Sequence, residues 1–307
     1  MDQIKGISSF VNSNYDEEAV GLSSDGQKLL VYIDNLEGFG DIYYSSYKGK
    51  GWLKPYPLGA TINSKGLETG ASISPNGKTL YFSSDRKEGS FGGRDIYMSH
   101  ILPDGNWGAP VNLGPEINTQ YDEDAPFIHV DGNTLYFCSK GHDSMGGYDI
   151  FKSFHDDSAN TWSKPENIGY PINTADDNLY FSLSVQGKYA YVSALRPEGF
   201  GDLDIYKVNF KDVQRNNYQT IIKGIITTSD SSSNIIADVS FVDREKGKVI
   251  GHYTPGAANG KFVISATPGT YKIVVESGAY ITFEENVDVP EKDQPAFVGC
   301  KILLKHK

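Results

Sequence analysis

The sequence is poor in several things that would tie it to common functions. It has only two cysteines in 307 residues, Cys138 and Cys300, far apart in the chain. A disulfide framework is therefore not indicated, and so few cysteines identify no redox compartment. Cys138 lies in the strand-like run LYFCSK and reads as a small buried thiol. No apolar run is long enough to cross a bilayer, so direct membrane insertion of this chain is not expected. The opening MDQIKGISSF is not a signal peptide, which leaves a cytoplasmic location or an export signal outside this sequence. Basic residues are outnumbered, 28 Lys and Arg against 39 Asp and Glu, for a formal net charge of −11. That balance excludes nucleic-acid binding through phosphates and docking on an anionic membrane. It is compatible with a basic protein or peptide partner.

Chemical signatures are missing too. None of the six histidines forms H-E-x-x-H or another close metal-ligand pair, and His142 reads as a turn residue. There is no G-x-S-x-G elbow, no D-x-[DN]-x-[DN]-G calcium loop and no sialidase-type Asp-box. No catalytic residue, metal ligand or cofactor is assigned. Helical periodicity is absent, while 20 Tyr, 15 Phe and 33 Gly favour strands and turns.

One stretch tests that reading. LYFSSDRKEGSFGGRDIY, residues 80–97, has the glycines of a phosphate loop. A phosphate loop needs a helix after its glycines, and here a strand-like run follows. The stretch also recurs. LSSDGQKLLVYIDNLEGFGDIYYSS, ISPNGKTLYFSSDRKEGSFGGRDIYMSH, IHVDGNTLYFCSKGHDSMGGYDIFKSF and LSVQGKYAYVSALRPEGFGDLDIYKVNF return at intervals of about 55 residues. After each of the first three come Trp52, Trp107 or Trp162, then proline, glycine and Ile62-Asn63, Ile117-Asn118 or Ile172-Asn173.

Each unit reads as four strands. The first follows an acidic run and a two-residue turn (Asp25-Gly26, Asn76-Gly77, Asp131-Gly132, Gln186-Gly187) ends it. The glycine-rich stretch joins the second and third strands, with Asp41, Asp95, Asp149 and Asp204 expected to bond nearby amides. The tryptophan segment is expected as the fourth. The fold class is all-β: a β-propeller of four recognisable four-stranded blades over residues 1–210, a linker over 211–217, and a small antiparallel β-sandwich over 218–307. IKGISSFVNS resembles the end of a unit tail and could supply the outer strand of the last blade, closing a four-bladed ring. The alternative is part of a larger ring.

SPNGKTLYFSSDR…GGRDIY and YDEDAPFIHVDGNTLYFCSKGHDSMGGYDIF resemble the TolB-type (WD-like) propeller repeats of OmpA-family envelope proteins in Bacteroidetes-type bacteria. YQTIIKGIITT…ADVSFVDREKGKVIG…NGKFVISATPGTYKIVV is similar to the carboxypeptidase regulatory-like domain that follows the propeller in those proteins. The resemblance implies a location on the periplasmic side of the outer membrane and a link to secretion or gliding assemblies. It implies peptidoglycan binding only through a downstream OmpA-like domain, which this sequence does not contain. The regulatory-like domain brings no peptidase chemistry.

Two repeated positions are candidate binding sites. Aligned on the hairpin turn, the acidic run yields Glu17, Glu68, Glu123 and Asn178, with Asp16, Asp122 and Asp177 beside them. The innermost strands of a propeller line its channel, so these groups are expected to ring one mouth and receive a cation or basic peptide. The glycine-rich loops each carry a bulky apolar residue, Phe39, Phe91, Met145 or Phe200, as a contact surface or as wedges between blades. The expected function is a non-catalytic envelope scaffold that binds an envelope protein or basic peptide. The alternative is a carbohydrate-active enzyme or glycan-binding propeller.

Overall fold

A computed structural model describes residues 11–34, 40–49, 51–185, 187–197, 199–210, 220–230, 235–256, 259–290 and 297–307. Alternating apolar and polar residues with glycine turns build strands throughout. β1 (Asp16–Leu22), β2 (Lys28–Asp34), β3 (Gly40–Ser46) and β4 (Tyr56–Pro57) form the first antiparallel sheet. β5 (Glu68–Ile73), β6 (Thr79–Ser84), β7 (Asp95–His100) and β8 (Val111–Asn112) form the second. In the third, β9 (Glu123–Ile128), β10 (Thr134–Ser139) and β11 (Asp149–Asp156) are followed by β12 (Thr161–Trp162) and β13 (Glu166–Asn167), both paired to β11. The fourth holds β14 (Asn178–Leu183), β15 (Tyr189–Ala194) and β16 (Asp204–Asn209), with no fourth strand among the described residues.

The sheets are blades of a β-propeller. Innermost β1 packs beside β5, β5 beside β9 and β9 beside β14. Between blades lie three apolar seams. Leu30 and Ile42 of blade 1 meet Leu80 and Phe82 of blade 2, while Tyr81 and Ile96 meet Leu135 and Phe137. Cys138 and Ile150 meet Ala190 and Val192. Complete burial of an isoleucine contributes about 2–3 kcal/mol, and Ile42, Ile96 and Ile150 are all 0 % exposed. Their counterpart in blade 4, Ile205, is 80 % exposed. Blade 4 therefore has no neighbour over its forward face, and the ring is open between blades 4 and 1 among the described residues. Residues 1–10, expected to supply the outer strand of blade 4, lie outside the described residues. Val11 packs on Leu29 and Val31 of blade 1, the place that Ile62 takes on Leu80 and Phe82 of blade 2.

Local expectations are refined. The fourth strand lies in the tryptophan segment, but in blades 1 and 2 it falls after the indole: Trp52 and Trp107 make isolated bridges to Tyr47 and Ile101, and edge strands β4 and β8 follow several residues later, whereas Trp162 is itself in β12. The indoles also fill seams, Trp107 against the blade 1–2 core and Trp162 against the blade 2–3 core. The hairpins are longer than two residues. In each, the glycine amide donates to the carbonyl three residues back (2.7–2.9 Å), and among the described residues of these turns only the glycine takes a positive φ, 64–80°. The residue before that glycine is spared positive φ because its side chain, as in Asp25 or Asn76, caps the turn by accepting the amide of Gln27 or Lys78 (both 3.0 Å).

The C-terminal part is a sandwich of two sheets. One holds β17 (Thr220–Thr228), β20 (Lys261–Ala266) and β23 (Phe297–Leu304). The other holds β18 (Asp238–Asp243), β19 (Lys248–Tyr253), β21 (Gly269–Glu276) and β22 (Phe283–Val289). It is not purely antiparallel, since β17 and β23 run parallel. The sandwich sits at the hairpin end of the propeller, where Asn259 Nδ2 donates to Gln27 Oε1 (2.7 Å) and Lys78 Nζ pairs with Asp238 (3.1 Å).

Both thiols are inside. Burial pushes Cys138 up, and burial with the adjacent Glu285 carboxylate pushes Cys300 up to about 12. Thiolate is the reactive form. Native protein is expected to resist Ellman's reagent at pH 8 and to release two equivalents in urea; prompt native labelling would contradict this packing.

Candidate functional site: the propeller mouth

Strand pleating decides which carboxylates face the channel. Successive side chains point to opposite faces, so a one-residue step changes a channel position into a buried one. Glu68 and Glu123 are fully buried, as is Asn178, and all three point into their blades. Glu68 accepts Ser64 N (2.8 Å), Ser64 Oγ (2.7 Å) and Ser84 Oγ (2.6 Å), and Arg86 pairs with it at 3.3 Å. Glu123 accepts Thr119 N (2.7 Å), Thr119 Oγ1 (2.8 Å) and Ser139 Oγ (2.6 Å). Asn178 Oδ1 accepts Thr174 N (2.8 Å), and Glu17, half-buried, accepts Ser13 N (2.7 Å) and Ser13 Oγ. Each closes the turn that leads into its innermost strand. The expected ring at the mouth is thus, in the structure, a set of latches inside the blades.

The aspartates beside them join blades. Asp122 Oδ1 accepts Arg94 N (3.0 Å) and Asp177 Oδ1 accepts Tyr148 N (2.8 Å), each from the glycine-rich loop of the preceding blade. Lys140 holds the other Asp122 oxygen at 3.0 Å. Those bonds and the neighbouring cations keep Asp122 below the usual carboxylate range despite its partial burial. Asp16, at the open seam, is exposed.

Pleating turns the next residue along each strand the other way, so Glu18, Thr69 and Asp124 lie on the channel side, while Leu179 packs on the blade 3–4 core. Asp124 accepts Thr69 Oγ1 (2.8 Å) and forms an ion pair with Arg94. Glu18 accepts the hydroxyl of Tyr180 (2.9 Å) across the opening between blades 1 and 4. Burial raises the Glu18 carboxyl, the Tyr180 bond lowers it and Asp124 raises it again, for a net rise. Burial and the same two carboxylates raise Tyr180, and burial with Asp124 raises Tyr148. The mouth thus combines two carboxylates, one guanidinium and two phenols. Glu18, Asp124, Arg94, Tyr148 and Tyr180 were not named from the sequence. The available signal was period-two alternation, which sets Glu18 and Asp124 opposite in facing to Glu17 and Glu123.

Below the mouth a cavity of about 860 Å³ runs between the innermost strands and opens through the blade 4–blade 1 gap. Leu22, Ile73, Phe127 and Tyr191 line its walls, and Ile221 and Val263 of the sandwich lie at its far end. No three His, Cys, Asp or Glu gather into a possible metal site among the described residues.

Among solved structures, TolB from Acinetobacter baumannii is similar to this chain, with 15 % identity, a TM-score of 0.44, and coverage of 85 % of this chain and 57 % of that one. The chain thus spans little more than half the length of that TolB. An endo-arabinase from Bacteroides thetaiotaomicron VPI-5482 is similar at 17 % identity and a TM-score of 0.43, covering 69 % of this chain and 80 % of that one. No protein-family model matches the chain, and no curated protein does.

The glycine-rich loops rise at the same end as the mouth, because β1 begins where β2 ends. Phe91, Met145 and Phe200 are 48 %, 50 % and 97 % exposed, so these three are not wedges between blades. Phe39 lies outside the described residues. Each loop tip is pinned from below: Asp95 Oδ2 accepts Phe91 N (2.7 Å), Asp149 Oδ2 accepts Met145 N, and Asp204 Oδ2 accepts Phe200 N (2.6 Å). Asp41 is raised by burial first and Glu68 second.

Proposed function

We propose that this chain is a non-catalytic scaffold of the cell envelope that binds a protein or basic peptide at the mouth end of its propeller. The observation that carries the reading is the set of exposed apolar tips Phe91, Met145 and Phe200, held by aspartate–amide bonds around an acidic opening. Rigid exposed apolar side chains cost little entropy on contact, and they mark interaction surfaces more often than bare solvent faces. Glu18 and the net charge of −11 favour a basic partner. Glu68 and Glu123 are bound into turns, which removes two carboxylates from any acid–base role. The envelope assignment, an outer-membrane-associated secretion or gliding assembly and the carboxypeptidase regulatory-like character of residues 218–276 rest on the resemblance of the repeats and of the C-terminal segment.

The test is capture from envelope extract by the full chain, by a Phe91→Ser, Met145→Ser, Phe200→Ser variant and by Glu18→Lys. A partner retained by the full chain and weakened at least tenfold, about 1.4 kcal/mol, by both variants is the expected result. Retention by both variants would move the interface elsewhere. Turnover of any glycan in a panel, abolished by Asp124→Asn, would replace the scaffold with a carbohydrate-active enzyme.

A further inference from the structure

One face of the sandwich carries the charge in which the rest of the chain is poor. β17, β20 and β23 send alternate side chains inward, where Ile222, Ile226, Phe262, Ile264 and Ile302 join the sandwich core. The residues between them face outward. Ile225 stands in the middle of that outer face, with Lys261 opposite it on β20 and Lys301 opposite it on β23. Strand spacing puts the two lysine backbones about 10 Å apart. Lys223 follows on the same face of β17, and Leu303 on the same face of β23. The lysines that pair with carboxylates are Lys78, Lys140, Lys152, Lys246 and Lys272, so among the described residues Lys261 and Lys301 have no carboxylate partner.

The propeller covers one end of this face and leaves the other open. Ile221, beside the channel cavity, is 3 % exposed, whereas Ile225 is 39 % and Leu303 53 % exposed. A single exposed apolar residue is ordinary, but here two lie among three lysines on a chain of net charge −11. The mouth end has the inverse character. Asp16, Glu18, Asp143, Asp176, Asp177 and Asp202 are exposed there, around the apolar tips Phe91, Met145 and Phe200.

We propose that the Lys261–Ile225–Lys301 face of the sandwich docks on the propeller mouth of a second copy of this chain, head to tail. This contact rests on the proposed mouth site and names its basic partner. Charge selects the arrangement: mouth against mouth would set carboxylates against carboxylates, and sandwich against sandwich would set lysines against lysines. Two unlike surfaces leave a free mouth and a free sandwich face on every dimer, so the contact propagates into a row or a ring.

The test is sedimentation velocity of the full chain over a concentration series. Species beyond the dimer are expected at low salt, falling back to monomer at high salt, where the charges are screened. A face variant, Lys261→Glu with Lys301→Glu, and a mouth variant, Phe91→Ser with Met145→Ser and Phe200→Ser, are each expected to weaken self-association by about tenfold or more. Mixed together, the two variants are expected to form a dimer and nothing larger, since each supplies the surface that the other lacks. All the substituted residues are exposed, and circular dichroism checks that both variants fold. A full chain that stays monomeric at every concentration overturns the contact, and the envelope capture then decides the proposed function by itself. Self-association that either variant keeps, or a mixture that stays monomeric, overturns the head-to-tail arrangement. A monomeric chain that binds phosphatidylglycerol vesicles, and loses them in the face variant, assigns the lysine face to an anionic lipid surface and overturns the second copy.

Discussion

Replacing Asn118 by alanine is expected to destabilise the propeller by about 3 kcal/mol, one buried amide left unpaired plus a small cavity. The side chain is 2 % exposed and bonds three groups: Ile96 N–H (2.8 Å), Ile96 C=O (2.9 Å) and Asn112 Oδ1 (2.7 Å). Alanine leaves the amide of a fully buried residue without a partner in a seam of aromatic and aliphatic side chains, and leaves its carbonyl with the Leu113 N–H alone. Each orphaned group costs about 1–3 kcal/mol, and the small cavity adds to that. Asn118→Asp keeps the acceptor for Ile96 N–H but sets a carboxylate oxygen against two other oxygens, so it too is expected to be severe at neutral pH. Asn63→Ala should cost less, because Asn63 is only half-buried and water can reach its partners. Urea unfolding of the full chain, followed by tryptophan emission, measures all three. A loss below about 1 kcal/mol for Asn118→Ala would show that the seam does not depend on this bond pair.

The second large effect is a dependence on pH that runs opposite to the usual carboxylate. Burial pushes Glu123 up to about 7, with the Ser139 and Thr119 bonds pulling it down and Asp95 pushing it further up. A carboxyl whose folded value exceeds its unfolded one binds its proton more tightly when folded. Its stabilisation is therefore present at low pH and is lost as pH rises from about 4.5 to about 7, with no further change above. The size is about 3 kcal/mol, from about 1.4 kcal/mol for each pH unit of that window. Glu123→Gln carries no titrating proton. Its amide oxygen can keep the Thr119 N–H bond, as Asn178 Oδ1 keeps Thr174 N, with the amide nitrogen turned to the hydroxyls, and it loses this slope. Unfolding free energies at pH 5 and pH 8 decide the matter through the difference between the two chains. Asp131, held down to about 2 by its bonds to His129 and Thr134 despite burial, stays ionised across that interval and does not mask the result. Parallel pH profiles for the two chains would sink the idea.

Much of the architecture could be read from local chemistry. The recurring Asp/Asn-Gly hairpins, the glycine-rich connection and the Ile-Asn tails mark a repeat whose units are too small to bury a core alone, and stacked β-blades solve that problem. The aspartates Asp95, Asp149 and Asp204 were also legible, since a short carboxylate four residues after a loop amide has few other uses. The latch role of Glu68 and Glu123 was less so. An acidic residue at a strand entrance looks the same whether it points inward or outward. What decides is the position of Ser64 and Ser84, or Thr119 and Ser139, which converge on the carboxylate only after two strands pair.

The sequence by itself determined the blade repeat and the strand-and-turn punctuation, because these follow from side-chain period and turn conformation over a few residues. Tertiary structure alone decided that Glu18 and Asp124, rather than Glu17 and Glu123, face the channel, because pleat direction depends on the register between strands. It alone decided that Asn63, Asn118 and Asn173 stitch one blade to the next, and that Ile205 stands uncovered where Ile42, Ile96 and Ile150 are buried. Both are relations between segments more than twenty residues apart, and an edge is satisfied or left open by what packs beside it, which no local pattern encodes.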